Sequence, residues 1–174
     1  MFEKIVTICL TVFLSVTADA QDFYDEFRAK SIDVEGVKID QKMTYDKFVA
    51  KFGKPTEYTQ SDSDSGEEGT PTLDEYYRVG KDVFYFRNNG NFSGFSINEN
   101  KFSVLTLWIT DGIRVGDKLS KLDNFKYGKP KVASWLKPEN GFVEYAIFYN
   151  HLDAFVYLSV KDGIIHNIRY SDPI

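Results

Sequence analysis

The sequence is nearly without cysteine, poor in histidine and limited to one long apolar run, and each shortage excludes a class of function. Its single cysteine, Cys9, lies inside that apolar run. The rest of the chain therefore has neither a disulfide staple nor a thiolate nucleophile. Two histidines, His151 and His166, supply too few ligands for a zinc site, which takes about three or more protein donors. The net charge is −5 at pH 7, without the basic excess that binding a phosphate backbone demands, so nucleic acid is not an expected partner.

The apolar run itself, Ile5 to Val16, follows Lys4 and precedes small residues at Ala18 and Ala20. That arrangement reads as a cleavable export signal over residues 1–20, with the mature chain beginning at Gln21. The run is shorter than the roughly 20 apolar residues of a membrane-spanning helix, which argues against an uncleaved anchor. No second apolar run follows, so no transmembrane segment is expected after cleavage. The expected location is secreted or periplasmic, and the mature length suits one domain or two small units sharing a core.

What the chain has in abundance is aromatic residues, with 15 Phe and 11 Tyr. Such side chains favour pleated, half-buried surfaces. Self-similarity is also present: Glu35–Pro55, EGVKIDQKMTYDKFVAKFGKP, aligns with Asp111–Pro130, DGIRVGDKLSKLDNFKYGKP, after one single-residue gap. In each copy an apolar residue precedes a hydroxyl residue, Met43 with Thr44 and Leu119 with Ser120, which predicts an N-capped short helix. Met43 and Phe48 occupy the positions of a hydrophobic staple. Gly53 and Gly128 then supply left-handed C-caps, and Pro55 and Pro130 stop the helix.

After each predicted helix the apolar period becomes two, the spacing of strands. Strands are expected near 75–79, 82–87, 93–98 and 103–110 in the first copy, and near 131–136, 142–149, 154–160 and 163–170 in the second. Asn89-Gly90 and Asp162-Gly163 suit tight hairpin turns. Residues 21–34 form a leading segment with Phe23 and Phe27 at helical spacing. Residues 35–110 form the first unit, with an inserted acidic loop at 61–72, and residues 111–174 form the second.

Two tandem helix-plus-four-strand units, each with a capped helix ending in Gly-Lys-Pro, resemble the β-lactamase inhibitor protein family. The single unit is also similar to the small SmpA/OmlA envelope domain. The resemblance implies an α+β fold in which two helix-plus-antiparallel-sheet repeats join into one curved sheet with helices on one face. It further implies a non-catalytic protein that presents aromatic residues on the front of that sheet to a protein partner, or an envelope-assembly accessory domain.

The motifs of catalysis and metal binding do not survive a check of spacing. Asp62, Asp64, Glu67 and Glu68 could suit calcium, but Gly66 comes one residue too early for an EF-hand loop. Gly94-Phe95-Ser96-Ile97-Asn98 lacks the final glycine of a nucleophile elbow and lies on a predicted strand. Neither Gly-Lys-Pro has the leading glycine or the Ser/Thr of a phosphate loop. Paired carboxylates such as Asp74 and Glu75 have no distinguishing spacing, so a hydrolase with an unrecognised site is the weakest of the three functions. Asn91-Phe92-Ser93 is a glycosylation sequon. No catalytic residue, metal or cofactor is expected.

Alternation sorts the strands into two faces. Leu105, Leu107 and Ile109 are expected inside and Thr106 and Trp108 outside, with Ile168 and Tyr170 as the second-copy equivalents of Leu107 and Ile109. Phe84, Phe86, Val156 and Leu158 are likewise expected inside. The outward residues Tyr85, Arg87, Trp108, Phe155, Tyr157 and Arg169 are the candidate partner-binding set, because Trp, Tyr and Arg dominate binding hot spots.

Overall fold

The computed structural model describes residues 32–63, 72–87, 89–106, 109–123, 129–137, 140–148 and 155–171. Four short strands, β1 (Asp33–Val34), β2 (Val37–Lys38), β7 (Val104–Thr106) and β8 (Ile109–Ile113), make a small antiparallel sheet in the order β2-β1-β7-β8. The large sheet contains β3 (Glu57–Ser63), β4 (Thr72–Val79), β5 (Asp82–Phe86), β6 (Phe92–Ile97), β9 (Lys131–Val132), β10 (Val143–Phe148), β11 (Phe155–Lys161) and β12 (Ile164–Ser171). Its order is β3-β4-β5-β6-β12-β11-β10-β9. Two antiparallel meanders are thus joined through their last strands, with Ile168 opposite Ile97 and Tyr170 opposite Phe95.

One helix, α1 (Tyr45–Phe52), is described, and its ends follow from the local sequence. Thr44 is extended, and its Oγ1 accepts the Lys47 N–H at 3.4 Å. Met43 is partly buried against the core that contains Phe48, as a hydrophobic staple requires. Gly53 ends the helix at φ +97, with its N–H donating to the Val49 carbonyl. The φ is one that glycine tolerates best, although ψ is 171°, extended rather than left-handed helical. Phe48 and Phe52 project to one side, where their rings lie 5.4 and 4.4 Å from that of Phe84.

The inner face of the large sheet is sealed by α1 and the small sheet. Phe84, Phe95, Ile97, Val156, Leu158, Ile168 and Tyr170 belong to one buried cluster with Val34, Val104, Ile109 and Ile113. Phe102, just before β7, places its ring 5.6 Å from Phe84 and ties the two layers together.

This architecture corrects the expected α+β class. The described chain is mostly β, with two antiparallel sheets of four and eight strands instead of two helix-plus-sheet repeats. Where the second helix was expected, Leu119–Leu122 forms a 3-10 turn. Ser120 lies inside that turn instead of capping it. The segment offers two well-placed apolar residues, buried Leu122 and partly buried Leu119, and a spacing of three brings them onto one side of a three-residue period.

The expected strand at 103–110 is two strands, β7 and β8, and both belong to the small sheet. On β7 the faces are reversed, with Val104 and Thr106 buried and Leu105 half-buried, whereas Ile109 on β8 is buried as expected and Leu107 and Trp108 lie outside the described residues. Thr106 can be buried because its Oγ1 accepts the Ile109 N–H at 3.2 Å as the chain turns. At the ends of the expected acidic loop, Ser61, Asp62 and Ser63 pair with Asp74, Leu73 and Thr72, and residues 64–71 lie outside the described residues. Within the leading segment 21–34 only 32–34 is described, and Asp33–Val34 is a strand.

Candidate functional site

The outer face of the large sheet is built by the residues that alternate with the core. On β5, Phe84 and Phe86 point inward, and Tyr85 is 37% exposed. Tyr85 lies opposite Tyr76 of β4, with ring centroids 6.3 Å apart in an edge-on pair. Arg87 is exposed just beyond the end of β5, with Nη1 3.4 Å from Asp40 Oδ1.

Across the sheet, Tyr157 of β11 and Arg169 of β12 stand directly opposite each other. The Arg169 guanidinium lies 5.1 Å from the centre of the Tyr157 ring, a cation–π distance. Its Nη2 lies 3.0 Å from Glu144 Oε2, and its Nη1 donates to Ser159 Oγ at 3.2 Å. Ser159 in turn donates to Glu144 Oε1 at 2.7 Å. The Asn167 amide donates to Ser96 Oγ, the Ile97 carbonyl and Asn98 Oδ1 at 2.9 to 3.1 Å.

Tyr157 and Arg169 therefore form one cluster, and Tyr85 and Arg87 lie elsewhere on the sheet. The side chain of Phe155 and the whole of Trp108 lie outside the described residues. Thr106 and Ile109, which flank the Trp108 segment, belong to the small sheet.

A β-bulge shapes the end of this face. Ser159 pairs with Asn167 while Val160 pairs with Ile165, which leaves His166 as an extra residue on β12. His166 and Asn167 consequently both line a cleft of about 580 Å³, together with Ser159, Glu144 and Arg169. Bulges re-aim side chains in this way next to binding sites. The opposite wall comes from the connection between β9 and β10, with Leu136, Lys137, Asn140 and Phe142. His166 meets the Phe142 ring edge-on at 5.3 Å.

Several exposed aromatics were not anticipated. Trp135, 53% exposed, sits in the turn after β9 beside the cleft residue Leu136. Its setting among Ser134, Pro138, Asn140 and Gly141 carries turn composition, which marks an apolar residue as unable to enter a strand. Tyr45 and Tyr58, each 51% exposed, flank Tyr77 on the helix side. Burial, with the Glu75 carboxylate adding to it, raises the hydroxyl pKa of Tyr58 and Tyr77, so both stay protonated.

Among the described residues no three His, Cys, Asp or Glu side chains gather as metal ligands. No described helix is long and apolar enough to cross a membrane. The Glu144 carboxylate is held by Arg169 and Ser159, so the cluster is arranged for hydrogen bonding and stacking. No family model, curated protein or solved structure matches the chain.

Proposed function

We propose that the chain is an exported, non-enzymatic binding module that holds a protein partner on the outer face of its eight-stranded sheet. The observation that carries this reading is the contrast between the two faces. Inner-face residues such as Phe84, Phe95, Val156 and Ile168 are wholly buried, whereas Tyr76, Tyr85, Ser96, Tyr157, Ser159 and Arg169 opposite them keep access to solvent. Tyrosine and arginine held in fixed geometry lose little conformational entropy on binding, which suits them to anchor a partner.

The test compares wild-type protein with Tyr85→Ala/Arg87→Ala as bait for material from the source's medium and envelope. A partner retained by the wild type should bind the variant more weakly by about 2 kcal/mol or more, with the thermal midpoint little changed. A soluble partner supports an inhibitor-like role, and a membrane assembly complex supports the envelope accessory role. Equal retention by both baits would show that this face is not the docking surface.

A further inference from the structure

The cleft between the bulged end of the large sheet and the β9–β10 connection has a chemistry of its own. Two of its acceptors are taken up within the protein, Glu144 Oε1 by the Ser159 hydroxyl and Asn98 Oδ1 by the Asn167 amide, and Glu144 Oε2 is ion-paired with Arg169 at 3.0 Å. What the lining still offers is mainly donors, because a guanidinium has five N–H groups and an ammonium three. Arg169 retains a side-chain exposure of 35%, and Lys137 is exposed at the opposite wall. Lys161 adds a third cation at the rim, with Nζ 5.4 Å from the Phe142 ring centre and 3.4 Å from the Asn140 carbonyl oxygen.

Among its described residues the lining itself holds two cations, Lys137 and Arg169, and one carboxylate, Glu144, already paired with Arg169. A local positive excess in a chain of net charge −5 focuses potential into the cleft. Phe142 and Leu136 supply an apolar wall beside it. The volume of about 580 Å³ falls within the span of small-molecule sites.

We propose that this cleft binds a small organic carboxylate, with the anionic head toward Lys137 and Arg169 and an apolar body against Phe142 and Leu136. The cleft shares Ser159 and Arg169 with the outer face, but Tyr85 and Arg87, the test residues of the protein-partner reading, are not in its lining. The bulge at His166 is what opens it, since a regular β12 would turn either His166 or Asn167 to the core side.

The probes are 4-phenylbutyrate and the uncharged 4-phenylbutanol, titrated into the full chain by calorimetry and by NMR of the His166 ring. The acid should bind and shift the His166 signals, with the alcohol weaker by about tenfold, the factor expected for losing one charge-assisted contact. Lys137→Gln/Lys161→Gln should weaken the acid by a similar factor, leave the alcohol unchanged and keep the fold, because both lysines are exposed. Equal affinity for acid and alcohol, no binding of either at millimolar concentration, or an acid affinity insensitive to Lys137→Gln/Lys161→Gln would each overturn the assignment.

Discussion

Adjacent residues on β5 should respond oppositely to truncation, and the difference can be worked from their surroundings. Phe84 is wholly buried, with the rings of Phe52, Phe48 and Phe102 at 4.4, 5.4 and 5.6 Å. Truncating such a residue to alanine costs about 3–5 kcal/mol, and the aromatic contacts place Phe84→Ala in the upper half of that range. At roughly 2–4 °C per kcal/mol for a chain of this size, the thermal midpoint should fall by about 10–15 °C. Tyr85, one residue on, already exposes 37% of its surface and pairs edge-on with Tyr76. Tyr85→Ala should therefore cost about 1 kcal/mol or less. Urea titration of both variants, with equal slopes, measures the two losses directly. A Tyr85→Ala loss matching that of Phe84→Ala would mean that both faces are buried, and would refute the outer face as a binding surface.

Asp82 supplies a pH test: burial raises its carboxyl above the ordinary 3.8, partly offset by N–H bonds from Asn98 and Glu99 at 2.6 and 3.0 Å. A raised folded-state value means that the native chain holds the proton more tightly. This group's contribution is therefore greatest below 3.8 and declines as pH rises through the folded value. The midpoint of Asp82→Asn, taken relative to wild type, should accordingly climb between about pH 3.5 and 7, and a difference that falls over that range would contradict the burial of the charge. At the start of α1, Thr44→Ala removes an N-cap whose bond is long at 3.4 Å. The loss by chemical denaturation should be about 0.5–1 kcal/mol, the lower part of the range for such caps, and a loss above about 2 kcal/mol would assign Thr44 a further role.

Strands β5, β6, β10, β11 and β12 lie within about two residues of where alternation placed them. In each, one apolar face packs on a single core, which keeps the period of two legible even where bulges interrupt it on β12 and between β5 and β6. The type I′ turn was equally legible, since Asp162 and Gly163 both take positive φ, at 53° and 74°. β3 was hidden because Glu-Tyr-Thr-Gln-Ser-Asp-Ser carries the composition of a loop. Among the described strands it lies at the edge of the sheet beside β4, and an edge tolerates polar residues that discourage further pairing. The β7–β8 hairpin was hidden for the opposite reason. Val-Leu-Thr-Leu-Trp-Ile alternates without a turn residue, although Thr106 and Ile109 face each other on the two antiparallel strands and the Thr106 hydroxyl accepts the Ile109 amide. The cleft was beyond any local pattern, because it gathers residues from 98 to 169 and depends on a bulge that leaves no mark in a single strand.

Arg169 stands where the open face and the cleft meet, and its surroundings explain why one residue can serve both. Directly opposite Tyr157, it contributes to the stacked surface; within reach of Glu144 and Ser159, it forms the floor of the cleft. The ion pair is only partly shielded, with side-chain exposures of 35% and 14%. Desolvation therefore offsets much of its attraction, and its main effect is to fix the guanidinium in one orientation. Fixing it leaves the charge accessible from the cleft while its flat face stays on the Tyr157 ring. A change at Arg169 consequently disturbs both surfaces together, whereas Lys137 lies on the cleft wall and Tyr85 on the open face. If carboxylate binding responds to Lys137→Gln/Lys161→Gln but not to Tyr85→Ala, and partner binding does the reverse, the two surfaces act independently. Equal responses of both ligands to all of these changes would instead make the cleft a subsite of the partner-binding face.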